Sequence, residues 1–220
     1  MRKLSTFFVL GLAFLASSLS VQAQSNIILF KDDGTGAWTD HWFLDGQSAT
    51  VTNGSDGMNF WAGPKAGDDS NHAVLWTKQS FAGDIRIEYD YTRLDTATTF
   101  ANILYIHATG SDFAEFDKDI SLWAHLRVTP AMSLYYNHMN AIHISYASFG
   151  KRGDVPYIRA RRYLPETGNG LRGTKIFPDF DPAGLFATAE KHHITIEKYG
   201  TNIRMTIENS DQNIVATWDT

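Results

Sequence analysis

Tyr157-Ile-Arg-Ala-Arg-Arg-Tyr163 is the stretch of this 220-residue chain with the most chemistry in it. Read as a strand, it sends Ile158 and Ala160 to one face and Tyr157, Arg159, Arg161 and Tyr163 to the other. The same alternation in residues 101–108 turns Leu104 and Ile106 inward, leaving Ile103, Tyr105 and His107 opposite. In residues 143–147 it turns Ile144 and Tyr146 inward and leaves His143 and Ser145 outward. If these three strands are neighbours, His, Tyr and Arg side chains converge on one surface. Such a set suits elimination of a group beta to a uronate carboxylate. That reaction needs a cation on the carboxylate, a base for the C5 proton and an acid for the leaving oxygen. Arg159 and Arg161 are the carboxylate ligands, because a guanidinium binds a carboxylate in two-pronged fashion. His143 or His107 is the base, since an imidazole titrates near neutrality. Tyr157, Tyr163 or Tyr105 is the acid.

Other residues extend the surface. Trp61 and Trp76 are candidate sugar-stacking platforms, although a buried Trp is the commoner case. The stretch 135–140, with His138 and Asn140, reads as a binding loop beside the cleft, and Ser145 completes the substrate-binding set. Asp32, Asp33, Asp68, Asp69, Asp117 and Asp119 are loop acids of the type a structural Ca²⁺ takes, though such acids are more often merely solvated. No catalytic metal and no other cofactor is expected. Glu88 and Asp90 share a strand face as glycosidase carboxylates do, but no third acid follows in that pattern, so a hydrolase is less favoured. The chain has no nucleophile elbow, phosphate loop or zinc-binding helix motif, and with no Cys it has no disulfides or thiolate sites.

The elements that must position these residues are strands. Strand-like runs recur at 26–30, 49–52, 58–62, 74–78, 85–94, 101–108, 143–147, 156–163, 194–199, 203–209 and 213–218. The clearest is 84–93, where Ile85, Ile87, Tyr89 and Tyr91 alternate with Arg86, Glu88, Asp90 and Thr92. Residues 193–208 read as a hairpin about Gly200. Long amphipathic helices are missing, and 180–189 has room for one short turn. The prediction is an all-β fold, a two-sheet sandwich forming a single domain over 24–220. Arg2 and Lys3, the apolar run 7–15 and Val21-Gln22-Ala23 have the pattern of a secretory signal over 1–23, cleaved after Ala23. The chain is therefore expected in the periplasm or outside the cell, with no membrane span. Without Arg2 and Lys3, 17 basic residues face 24 acidic ones, a net charge of −7 that argues against a nucleic-acid partner. Yet residues 151–175 carry seven of the 17 basic residues, a local island suited to an anionic glycan.

Several motifs are shared with one family. Gly57-Met-Asn-Phe-Trp-Ala-Gly63, His72-Ala-Val-Leu-Trp-Thr-Lys78, Asn102-Ile-Leu-Tyr-Ile-His107, Met139-Asn-Ala-Ile-His-Ile-Ser-Tyr-Ala147 and Tyr157-Ile-Arg-Ala-Arg-Arg-Tyr163, with the strand at 83–95, resemble the bacterial YesU-like family, a domain of unknown function. The resemblance implies a concanavalin A-like jelly-roll β-sandwich of two antiparallel sheets, in a setting of pectin or algal polysaccharide degradation. It also extends to secreted proteins that act on ulvan oligosaccharides by elimination, as lyases or dehydratases. Sandwiches of that kind usually have a further closing strand after the position of the one that ends just before Thr220; either the sequence stops short of it or an earlier strand closes the sheet. A non-catalytic, lectin-like module using the same aromatic and basic face is the alternative, because a fold does not dictate an activity.

Overall fold

The computed structural model describes residues 27–97, 100–149, 156–181 and 184–220. The signal segment read from 1–23 lies outside the described residues, as does the 151–155 part of the basic island. The chain divides into two units, Met1–Lys31 and Asp32–Thr220. In the first, residues 27–30 form no strand, contrary to expectation. The second is an all-β, jelly-roll-like sandwich.

Its two main sheets are antiparallel and four-stranded. One runs β12-β11-β10-β5, from β5 (Ile85–Thr92), β10 (Lys191–Tyr199), β11 (Asn202–Glu208) and β12 (Asn213–Asp219). The other runs β6-β7-β8-β9, from β6 (Phe100–Gly110), β7 (Met139–Phe149), β8 (Pro156–Tyr163) and β9 (Lys175–Phe180). Two short pairs complete the strands: β1 (Trp42–Asp45) with β4 (Val74–Thr77), and β2 (Thr50–Gly54) with β3 (Gly57–Trp61). Period-2 alternation supplies the core. Ile85, Ile87, Tyr89 and Tyr91 of β5, with Ile194, Ile196, Met205 and Trp218, meet Ile142, Ile144, Ile158 and Ala160 of the facing sheet. The expected hairpin closes through Gly200, whose φ of 55° is cheap only for a residue without a side chain.

Two strands escaped the sequence reading. β1 is only four residues long, and β9 contains Pro178, which a sheet tolerates at its edge. Residues 135–140, expected as a binding loop, instead end the helix α1 (Met132–His138) and begin β7. The described part of 180–189 holds no helix.

A second core lies on the outer face of the β6–β9 sheet. Trp76, Phe116, Trp123, Tyr135, Met139, Ala141 and Tyr163 pack there beneath β1, β4, α1 and the 3₁₀ segment Ile120–Arg127. Its polar centre is Asp45. The Oδ2 atom accepts from Arg127 Nε at 2.6 Å, Trp76 Nε1 at 2.7 Å and Tyr135 Oη at 3.2 Å. Asp45 and Arg127 are both fully buried, and the Arg127 guanidinium also lies 4.1 Å from the Trp123 ring centre. Removing one partner strands the other charge out of water. Arg127→Met should therefore lower unfolding free energy by about 3–5 kcal/mol. The double variant with Asp45→Asn should lose clearly less than the two single losses added together. Urea unfolding of the four proteins checks this, and simple additivity would show that the pair is not coupled.

Candidate active site

The three strands are neighbours, so the side chains do converge. Across β6, β7 and β8, Tyr105 stands opposite His143 and His143 opposite Arg161; one row along, Ile103, Ser145 and Arg159 align. β9 extends the first row, with Lys175 opposite Arg161. Ile144, Ile158 and Ala160 are buried on the core side.

His143 is 5% exposed and hydrogen-bonded through both ring nitrogens, Nε2 with Ser145 Oγ at 2.6 Å and Nδ1 with the Tyr163 hydroxyl. Tyr163, 1% exposed, also bonds Tyr105, whose ring stacks on Trp76 at 5.4 Å and Tyr135 at 5.8 Å. A line of contacts thus runs from the Asp45 carboxylate through stacked aromatics to the imidazole. Burial, and then the charges of Arg161 and Arg159, push the His143 pKa down to about 3, so the ring is neutral. Burial raises Tyr163 to about 12 despite Arg161 beside it, so Tyr163 keeps its proton and is no base.

The two guanidiniums differ. Arg159 donates from Nε and a terminal nitrogen to Asp179 Oδ2, at 3.1 and 2.9 Å, and lies 4.5 Å from the Tyr157 ring centre. Arg161 donates to Thr174 Oγ1 at 3.1 Å, and no carboxylate pairs with it among the described residues. Asp179, which sequence reasoning missed, is the one acid among the described residues of β6–β9; its only signal was its odd position in a strand that was itself missed.

Several expected members lie elsewhere. His107 is turned away by a β-bulge between Ile106 and Thr109, where its φ of 53° breaks the alternation; it faces Lys198 and Asp84 of the other sheet. Trp76 is no platform: it is 7% exposed and committed to Asp45. Trp61 is 53% exposed but stands on the separate β2–β3 hairpin. His138 stacks on Phe116 at 3.7 Å, and Asn140 has the parity of Ile142, opposite to His143. Tyr105 lines the back of the site, under Trp76, rather than its mouth. Tyr157 is partly exposed and stands four residues along β8 from Arg161, a backbone separation of about 13 Å, with its ring against Arg159. The loop acids close turns: Asp32 accepts from Gly34 N and Trp42 Nε1, while Asp68 and Asp119 cap 3₁₀ segments through Ser70 and Ser121. Asp33 and Asp117 likewise accept from backbone N–H two residues on. Among the described residues, no three His, Cys, Asp or Glu gather as a metal site would require. No described helix is long and apolar enough to cross a membrane.

The outer face of the other sheet offers a competing surface, an open depression of about 380 Å³. Its charges are largely spent on each other: Arg86 pairs with Glu88 and Glu197, and Asp90 with Lys191 and His193. Glu88 and Asp90 are thereby accounted for as surface ion-pair partners.

No family model matches the chain, and no curated protein does. Among solved structures, the enzymatically active domain of bacteriophage CBA120 tailspike protein 2 is similar over 82% of this chain, at 12% identity and a TM-score of 0.42. The match spans 22% of that protein, and likeness at that level fixes no activity.

The burial of a neutral His143 has a measurable consequence. The unfolded chain's histidines titrate near 6.5, the folded His143 near 3, so between these values the unfolded state holds the extra proton. Stability is fully present above about pH 6.5 and is lost as pH falls toward 3. His107 and His138, also lowered by burial, act in the same direction. Urea midpoints should fall steadily between about pH 7 and pH 4, and His143→Gln should flatten that slope. An unchanged slope in the variant would remove His143 as its main source.

Proposed function

We propose that the chain is a secreted or periplasmic carbohydrate-active enzyme that acts on uronate-containing poly- or oligosaccharides, of ulvan or pectin type, by β-elimination. The observation that carries this reading is a neutral, hydroxyl-flanked imidazole set beside a guanidinium, Arg161, that pairs with no carboxylate among the described residues. The motif resemblance points the same way.

In this reading Arg161 receives the uronate carboxylate. Arg159, already neutralised by Asp179, is held as part of the wall and adds little net attraction. Binding the carboxylate cancels part of the positive field at His143, so the imidazole becomes a stronger base only when substrate is present. The Ser145 hydroxyl rotates about a single side-chain bond and yields Nε2 to the sugar. His143 Nε2 takes the C5 proton; the electrons of the C5–H bond form the C4–C5 double bond as the C4–O bond breaks. The imidazolium then returns the proton to the leaving oxygen, so one residue serves as base and acid on one face of the ring. Its proton is readily surrendered because burial disfavours the charged ring. Tyr163 holds Nδ1 and fixes the plane of the imidazole.

The product carries a double bond conjugated to a carboxylate, which absorbs in the near ultraviolet. The protein incubated with ulvan- and pectin-derived oligosaccharides should generate that absorbance. His143→Ala should abolish it, and Arg161→Ala should lower kcat/KM by about 100-fold or more, the scale for removing a charged partner from a bound carboxylate. Arg159→Ala should cost markedly less than Arg161→Ala. Binding of the same sugars with no absorbance change would make this face a lectin-like site and retire the catalytic roles.

A further inference from the structure

Phe177 is 71% exposed, although a phenylalanine in a strand ordinarily buries its ring. It lies in β9, the edge strand of the sheet that carries His143. Contacts tie it to the site side by side. Lys175 Nζ is 4.4 Å from the ring centre and 2.7 Å from Asp179 Oδ2; Asp179 holds Arg159, and Lys175 stands opposite Arg161. Ile176 and Phe180 of the same strand pack into the sandwich core, which anchors the backbone beneath the exposed ring. The strip from Arg161 through Lys175 to Phe177 thus leads outward from the imidazole to the open edge of the sheet.

We infer that Phe177 and Lys175 form a second sugar subsite, which binds the neighbouring unit of an anionic oligosaccharide whose uronate occupies Arg161. The inference rests on the reading of the His143 site given above. A pyranose has an apolar face of C–H groups and a polar rim. Stacking that face on the free side of the Phe177 ring removes apolar surface from water on both partners. Lys175, flexible and partly exposed, meets the rim hydroxyls or a charged substituent, which its ammonium can follow without the fixed geometry a guanidinium imposes. The enzyme would then prefer oligosaccharides of at least two units over a lone uronate.

Calorimetric titration of the full chain with a uronate monosaccharide and with di-, tri- and tetrasaccharides tests this, alongside the ultraviolet assay. Phe177→Ala should weaken the longer sugars about tenfold and leave the monosaccharide unchanged, whereas Phe177→Trp should retain the gain with length. The ring is exposed, so neither variant disturbs the core. If wild type and Phe177→Ala gain equally with length while His143→Ala still abolishes turnover, the subsite is wrong and the site reading stands. If no uronate sugar binds or turns over, both fail. A change of particle mass in Phe177→Ala, with sugar affinity untouched, would assign the ring to self-association and overturn the subsite.

Discussion

A carboxylate buried without water must find cations and donors, and Asp45 finds them on three separate elements. Arg127 comes from a 3₁₀ segment, Trp76 from β4 and Tyr135 from α1, while Asp45 itself sits at the end of β1. None of these pieces is long enough to be stable by itself. Their shared oxygen makes them one lid over the outer face of the β6–β9 sheet, since losing any donor leaves charge uncompensated at low dielectric. The site depends on that lid. Trp76 and Tyr135, held by Asp45, pack against Tyr105 and against each other; Tyr105 bonds Tyr163, and Tyr163 bonds His143.

What the lid creates at His143 is an electrostatic mismatch kept in readiness. An imidazole with two guanidiniums nearby, cut off from water, is a poor base in the empty protein. Asp179 pairs with one guanidinium, and among the described residues no carboxylate pairs with the other. In the proposed reaction, a carboxylate arriving at Arg161 would change the charge His143 feels and so tie proton transfer to occupancy. The same burial that depresses the imidazole holds the Tyr163 proton in place, which decides between the acid and base roles that a tyrosine beside an arginine could otherwise play.

Period-2 alternation made much of this legible in the chain. It correctly assigned the inward faces of β5, β6, β7 and β8, because burying one face of a strand forces every second residue to be apolar. Where the backbone breaks period, the reading broke with it: the bulge at His107 reverses a face with no change of composition to announce it. Pro178 hid β9, and with it Asp179 and Phe177. Trp76 and Trp61 look alike in sequence, yet one is locked to a buried carboxylate and the other is open, a difference set by partners more than 30 residues away in the chain.

Taken alone, the sequence determined the all-β class, the inward and outward faces of the long strands and the clustering of Arg, Tyr and His in them, since these follow from local alternation and residue type. Only the tertiary structure decided which histidine faces the arginines, which arginine pairs with Asp179, and how deep the imidazole lies. Those depend on strand adjacency, on one bulge and on the Asp45 lid. All three are long-range arrangements, and no local pattern encodes the distance between groups that the chain brings together only by folding.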